Sequence, residues 1–340
     1  MKTTKCLDKY QNDFAINFAK IMQKNLKSWE AIQKEERLSL ISWKAFMCYF
    51  GISLIGFVPG KHETDYNLKI HCIFAVIIFL FVVWGNISIT NKRYQNRIKK
   101  TLFQKLIATF GDIQYISKTD EDTFADEILN KKENKNKAYE IPKSVFENSK
   151  LFDKPVHYKN DDDCFWGTYK NVSFVINETE FGYITKGKSK EEQTLFKGIG
   201  MEFKMNKKIN SRVLILSKLS LTKIPDNFEK VELEYEKFNK KYDVWVEKGS
   251  NGQIEARYLL NAAFLNRFMQ IQTSFGILNM KCSIYQNSLL ILLSTRKDLF
   301  EMNHLFGRID DISQYQHLFD EFTSVLSFIE VLNLSSKTGL

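Results

Sequence analysis

The sequence predicts an α+β protein with three successive parts. N-terminal helices lead into a two-helix transmembrane hairpin, which is followed by a mainly antiparallel β domain with helices. Three observations carry this. The run 70–91, IHCIFAVIIFLFVVWGNISITN, contains no formal charge. After Pro142 the apolar residues switch from helical spacing to alternation. The alternating segments then follow one another instead of interleaving with helices, which argues against a doubly wound parallel sheet.

Residues 1–37 read as a cytoplasmic amphipathic helix, because Phe14, Phe18, Ile21, Met22, Leu26, Trp29 and Ile32 fall on one stripe. The transmembrane hairpin is placed at 38–91, with spans at 38–60 and 70–91. At 1.5 Å per residue the second run crosses a hydrocarbon core of about 30 Å. The first is shorter: AFMCYFGISLIGFVPG needs the preceding LSLISW to reach that length, with Lys44 snorkelling and Pro59-Gly60 ending it. The connection KHETDYNLK forces the two spans antiparallel. Residues 92–140 form a basic juxtamembrane helix and linker, in which Tyr94, Ile98, Leu102, Leu106, Phe110 and Ile113 continue a helical stripe toward about residue 130. The segment 131–137, KKENKNK, reads as a charged linker.

The β domain occupies 141–335. FWGTYKNVSFVINETEFGYI reads as a hairpin turning at Lys170-Asn171, and TLFKGIGMEFKM and RVLILSKL as two further strands. YDVWVE is another strand. Helical spacing returns at Leu260, Phe264, Phe268 and Ile271. KCSIYQNSLLILLS suggests paired strands turning at Gln286-Asn287, and Ile312 to Leu332 present one apolar helix face.

Charge and cysteine content narrow the function classes. The chain has 340 residues, 44% of them hydrophobic, and a net charge of +9. Residues 1–140 hold 22 Lys/Arg against 15 Asp/Glu, whereas 141–340 hold 27 against 25. The excess therefore flanks the apolar runs, which disfavours nucleic acid as a partner and fits the positive-inside rule. Lys92, Arg93, Arg97, Lys99 and Lys100 form a membrane-surface basic cluster after the second span. This places both termini in the cytoplasm and the nine-residue loop outside, in a multi-pass membrane chain. The five cysteines lack C-x-x-C spacing, so neither a disulfide framework nor a metal site is expected.

One stretch imitates an active site. GYITKGKS matches the phosphate loop G-x-x-x-x-G-K-[ST] through Gly182, Gly187, Lys188 and Ser189. Such a loop needs a buried parallel strand before it and a helix after it. VSFVINETEF alternates and carries two glutamates, KEEQTLF is too short a helix, and no apolar strand ends in a magnesium-binding Asp. The stretch therefore reads as a solvated hairpin loop. Asp161-Asp162-Asp163 lacks the ligand spacing of a calcium loop. His157 and Cys164 are close enough in sequence to suggest a thiolate pair, although a nucleophilic cysteine is positioned by the fold and not by spacing. No catalytic constellation, cofactor or metal site emerges.

The order IPKSVFENSKLF, DDDCFWGTYKNVSFVINETEF, TLFKGIGMEF, VELEYEKFNKKYDVWVEKGSNGQIEARYLLNAAFLNRF and SIYQNSLLILLS resembles a bacterial family of uncharacterised two-span membrane proteins with a cytoplasmic domain of unknown function. The resemblance covers most of 40–335. It is most specific at Glu236, Phe238, Tyr242 and Val244 and at Glu255, Ala256, Arg257, Tyr258 and Leu260. It implies two spans and a loop between strands at GYITKGKS, but no activity or catalytic residue. The function expected is thus a membrane-anchored binding protein whose partner is another protein. The alternatives are a lipid-headgroup-binding module, if the strands form a partial barrel resembling pleckstrin-homology-like domains, and a phosphate-loop enzyme using Lys188 and Ser189.

Overall fold

The computed structural model describes residues 2–55, 65–117, 139–185, 190–249, 251–277, 279–295, 300 and 305–337. Within the long N-terminal helices, the side chains of 2–13, 41–42, 44–50, 52–55, 65–76 and 78–79 lie outside the description. The chain forms two compact units. One comprises Met1–Ala15, Phe103–Glu301 and Gln316–Leu340, and the other Ile16–Leu102 and Met302–Tyr315.

The helical unit is built on α1 (Lys2–Ile55) and α2 (Asp65–Ile98). α1 passes without interruption through residues 37 and 38, where the sequence suggested a change of element. Its stripe buries Phe18, Met22, Trp29 and Leu40, while Ile21, Leu26 and Ile32 are half-buried. Among the described residues no helix is long and apolar enough to cross a membrane. The expected first span, 38–60, has most of its side chains outside the description, and the expected second span, 70–91, those of 70–76 and 78–79.

After α2 the helical stripe does not run on to residue 130. A π-helical turn at Lys99–Phe103, α3 (Gln104–Ile107) and a 3₁₀ turn at Ala108–Phe110 unwind the chain stepwise. Gly111, at φ 142°, then admits it to β1 (Asp112–Ser117). Ile113 is therefore a strand residue. The expected linker at 131–137 lies outside the described residues.

The larger unit holds one seven-stranded sheet, antiparallel at every pairing. Its strands are β1, β2 (Tyr158–Tyr169), β3 (Val172–Ile184), β4 (Glu192–Ser217), β5 (Phe228–Val231), β6 (Tyr242–Glu247) and β7 (Met280–Ser294). The order is β1-β2-β3-β4-β6-β5, with β7 on the other edge of β4. This is an open path. Among the described residues no ladder closes it into a barrel.

Two segments expected as pairs of strands are single strands. The 26-residue β4 absorbs TLFKGIGMEFKM and RVLILS together, and its register against β7 shifts between Lys204 and Val213. That irregularity carries the polar stretch 204–211 through the sheet without a reversal. β7 likewise passes through Gln286, at φ 54°, instead of turning there. The Lys170-Asn171 turn is observed as expected, with φ 47° and 64°, the pair of positive values a tight two-residue hairpin demands.

Helices α5 (Glu236–Asn239), α6 (Gly252–Leu259), α7 (Ala262–Ser274) and α8 (Gln316–Lys337) complete the unit. The stripe at Leu260–Phe268 is broken at Leu260, because Asn261 caps a new helix by accepting the Phe264 N–H at 3.0 Å. One sheet face packs on α7 through Tyr242–Phe268 and on α8 through Phe203–Phe328 and Phe165–Phe322, with ring centroids 5.5–5.6 Å apart. The other face is partly covered by an arm, residues 139–156, containing α4 (Lys143–Asn148). Ile141, Phe146, Leu151 and Val156 of the arm join Phe181, Phe196, Leu214, Leu216, Leu290 and Leu292 in a buried cluster.

Candidate functional site

Beside the arm, the same sheet face is left open as a trough of about 370 Å³. Its centre is a row of residues that stand opposite one another on successive strands: Gln114, Trp166, Val175 and Glu202. Thr168 and Ser173 lie one row along, with their hydroxyls 3.3 Å apart. Alternation along each strand sends these residues to one face while Tyr115, Phe165, Phe174 and Phe203 enter the core on the other. Glu202 is buried at the floor, where it accepts a hydrogen bond from Ser288 Oγ at 2.7 Å and pairs with Lys204. The trough thus offers one aromatic surface, hydroxyl and amide groups, and a compensated ion pair.

The arm forms one wall and is fixed at both ends. Asn177, fully buried in β3, accepts the Ile141 N–H at 2.9 Å and donates to the Tyr139 carbonyl at 2.8 Å. The Tyr139 ring meets Trp166 at 5.3 Å. Gly200, opposite Asn177, leaves space for Ile141 and Phe146, which would lie 3.4–3.5 Å from a side chain there. At the other end of α4, the Arg212 guanidinium donates to the Asn148 carbonyl and lies 4.3 Å over the Tyr285 ring. Burial lowers the Arg212 pKa from its ordinary value, and the Glu247 charge opposes that shift. Ser283 Oγ donates to the Ser149 carbonyl at 2.7 Å. The sequence reading missed this face, although the polar side chains alternating along 112–114, 166–168 and 173–175 are its signal.

The phosphate-loop match falls at the β3–β4 hairpin. Gly182 pairs with Tyr158 and Thr194 in antiparallel ladders, and a Cβ there would lie 2.1 Å from the Gln193 carbonyl oxygen. Close strand approach accounts for that glycine. The Thr185 N–H donates to the Glu191 carbonyl at 2.9 Å across the mouth of the loop, and the described residues 190 and 191 lead directly into β4. Gly187, Lys188 and Ser189 lie outside the described residues.

The basic cluster is divided within the helical unit. Arg97 holds Glu36 at 2.7 Å and Glu35 at 3.0 Å, and Arg93 approaches Glu36 at 3.9 Å. The hydrogen bonds that Arg97 donates to Glu36 and Glu35 raise its pKa above the ordinary value. Lys92 is exposed and Lys99 is buried, while the Lys100 side chain lies outside the described residues. Nearby, Gln33 Nε2 donates to the carbonyls of Leu305 and Gly307 at 3.0 and 2.8 Å, and Arg37 Nε to Leu305 at 3.0 Å. Asn91 Oδ1 accepts the Leu305 N–H at 2.7 Å. Tyr94, desolvated beside Gln33, has its pKa pushed up to about 12.

The remaining candidates do not assemble. Asp161 pairs with Lys159, and Asp163 accepts from the Tyr115 hydroxyl at 2.5 Å. Both lie at a β2 bulge. His157 Nδ1 accepts the Ile184 N–H at 2.8 Å, at the strand's start, while Cys164 is buried further along β2. Cys164 and Cys282 are free thiols, and burial pushes the Cys282 thiol well up. Among the described residues no cluster of His, Cys, Asp and Glu could hold a metal ion.

The fold is an α+β domain with an antiparallel sheet and one open trough. Residues 194–334, from β4 into α8, match the family described as "Protein of unknown function (DUF3137)". No curated protein matches the chain. Among solved structures the chain is similar to the crystal structure of the mycobacterial trehalose monomycolate transport factor A, TtfA, at 8% identity over 50% of this chain and 73% of that one. The TM-score is 0.28, a likeness too slight to carry an argument about fold or ligand.

Proposed function

We propose that this protein is a membrane-anchored binding protein. On this reading, spans at 38–60 and 70–91 tether it to a bacterial inner membrane with both termini in the cytoplasm, and the sheet trough engages another protein. The observation that carries the reading is the exposed apolar surface of α2: Ile77, Leu80, Phe81, Trp84 and Ile89 are 54–70% exposed. They continue a 22-residue stretch without a charge, and lipid is the solvent that suits such a surface. Basic residues follow it at once, as the positive-inside rule requires of a cytoplasmic flank. In the trough, the hydroxyl, amide and carboxylate groups around Trp166 suit an extended peptide, whose backbone amides need donors and acceptors.

Membrane fractionation tests the anchor. The protein should stay in the pellet through high salt and alkaline carbonate and leave it only with detergent. Release by carbonate would sink the reading, and release by salt alone would point to a peripheral, electrostatic attachment.

A further inference from the structure

Residues 218–227, KLSLTKIPDN, connect β4 to β5 and must pass β6, which lies between those strands. The loop's polar groups are consumed internally. Ser217 Oγ accepts the Leu219 N–H at 3.4 Å, the Ser217 carbonyl accepts the Ser220 N–H at 2.8 Å, and the Ser220 and Thr222 hydroxyls are 2.8 Å apart. Ile224 packs on the arm-side apolar cluster, and the Pro225 carbonyl accepts the Phe228 N–H at 3.0 Å. A loop held in this way still turns two leucines outward: Leu219 is 68% exposed and Leu221 fully exposed.

Exposed lysines flank them. Lys218 and Lys223 bracket the tip, no acidic residue occurs between 218 and 225, and Asp226 stands at the base. The Lys218 N–H donates to the Lys241 carbonyl at 2.9 Å, which brings the exposed Lys240-Lys241 turn alongside. Lys240 pairs with Glu236 and Asp243 with Lys230, and Glu232 lines the same depression as Lys218, so the basic residues nearest the two leucines are Lys218 and Lys223, with Lys241 alongside.

Protein-binding centres favour Trp, Tyr and Arg, with Leu under-represented and Lys depleted. Aliphatic tips ringed by lysines instead match the boundary between acyl chains and anionic headgroups. We propose that the 218–223 loop inserts Leu219 and Leu221 into an anionic bilayer surface. The proposal rests on the membrane-anchored reading, since the anchor supplies the local bilayer.

The test uses the full chain in phosphatidylglycerol-rich vesicles, with Cys6, Cys48 and Cys72 replaced by serine. An environment-sensitive fluorophore is placed at Leu221→Cys or, as a control, at the exposed Glu192→Cys. Emission at 221 should shift to the blue and be quenched by spin-labelled acyl chains, with neither change at 192. Adding Lys218→Glu and Lys223→Glu should at least halve the quenching. Solvent-like emission at 221 in protein that floats with the vesicles overturns the loop proposal and leaves the anchor standing. Protein that fails to float overturns the anchor; if vesicles also leave emission at 221 unchanged, the loop proposal falls with it. Shielding at 221 that needs no lipid overturns the proposal in favour of a protein contact.

Discussion

Asn177 serves the arm with both ends of its amide, and the arm is what gives the trough its wall. Asn177→Ala would leave the Ile141 N–H and the Tyr139 carbonyl without these partners in a buried setting, at roughly 2–4 kcal/mol. Urea denaturation of the variant should show that loss. Asn177→Asp, which keeps the acceptor but sets a buried carboxylate against the Tyr139 carbonyl, should be at least as destabilised. Glu321, on α8, makes a second prediction. It is 1% exposed, and burial pushes its pKa up to about 8, against a hydrogen bond from the Phe300 backbone and with a smaller push from Asp320. Between pH 4.5 and 8 the folded chain holds a proton that the unfolded chain has released, so stability falls as pH rises across that window. The decline should be on the order of 2–4 kcal/mol, and Glu321→Gln should flatten it in a pH series of thermal melts. Neither residue was legible in the sequence: an asparagine in an alternating strand and a glutamate in an amphipathic helix both look like surface positions.

At the scale of elements, the clamp on Leu305 and Gly307 is the most exposed to test. Gln33→Leu removes the side-chain donor to the Gly307 carbonyl and leaves the Leu305 carbonyl with the Arg37 guanidinium, so it should cost about 1–3 kcal/mol in denaturant unfolding. If the variant is as stable as the parent, solvent has taken over those carbonyls and the clamp does not hold the segment. Elements were legible where pattern and turn chemistry agreed. The β2–β3 hairpin was readable because alternation on both sides met an Asn-containing turn, and the antiparallel class followed from consecutive strands. β4 and β7 were misread because the sequence marks a bulge and a reversal with the same polar interruption. Only the ladder of the partner strand tells them apart. β1 was hidden because Ile113 completes a helical stripe by coincidence, and nothing local signals the unwinding from 99 to 110.

For the whole molecule, the basic flank of the apolar runs also takes part in pairing helices: Arg93 and Arg97 face Glu35 and Glu36 within the helical unit, some sixty residues apart along the chain. The trough was illegible because its residues come from four strands, and only register aligns them. The long central strand has one more consequence, for synthesis. Val213, Leu214, Ile215 and Leu216 leave the ribosome roughly thirty residues before their β6 partners and seventy before those on β7. At about 5–20 residues per second the second wait lasts some 4–14 seconds. For that interval a fully apolar edge has no mate, and a chaperone or a neighbouring nascent chain competes for the place that β7 will take.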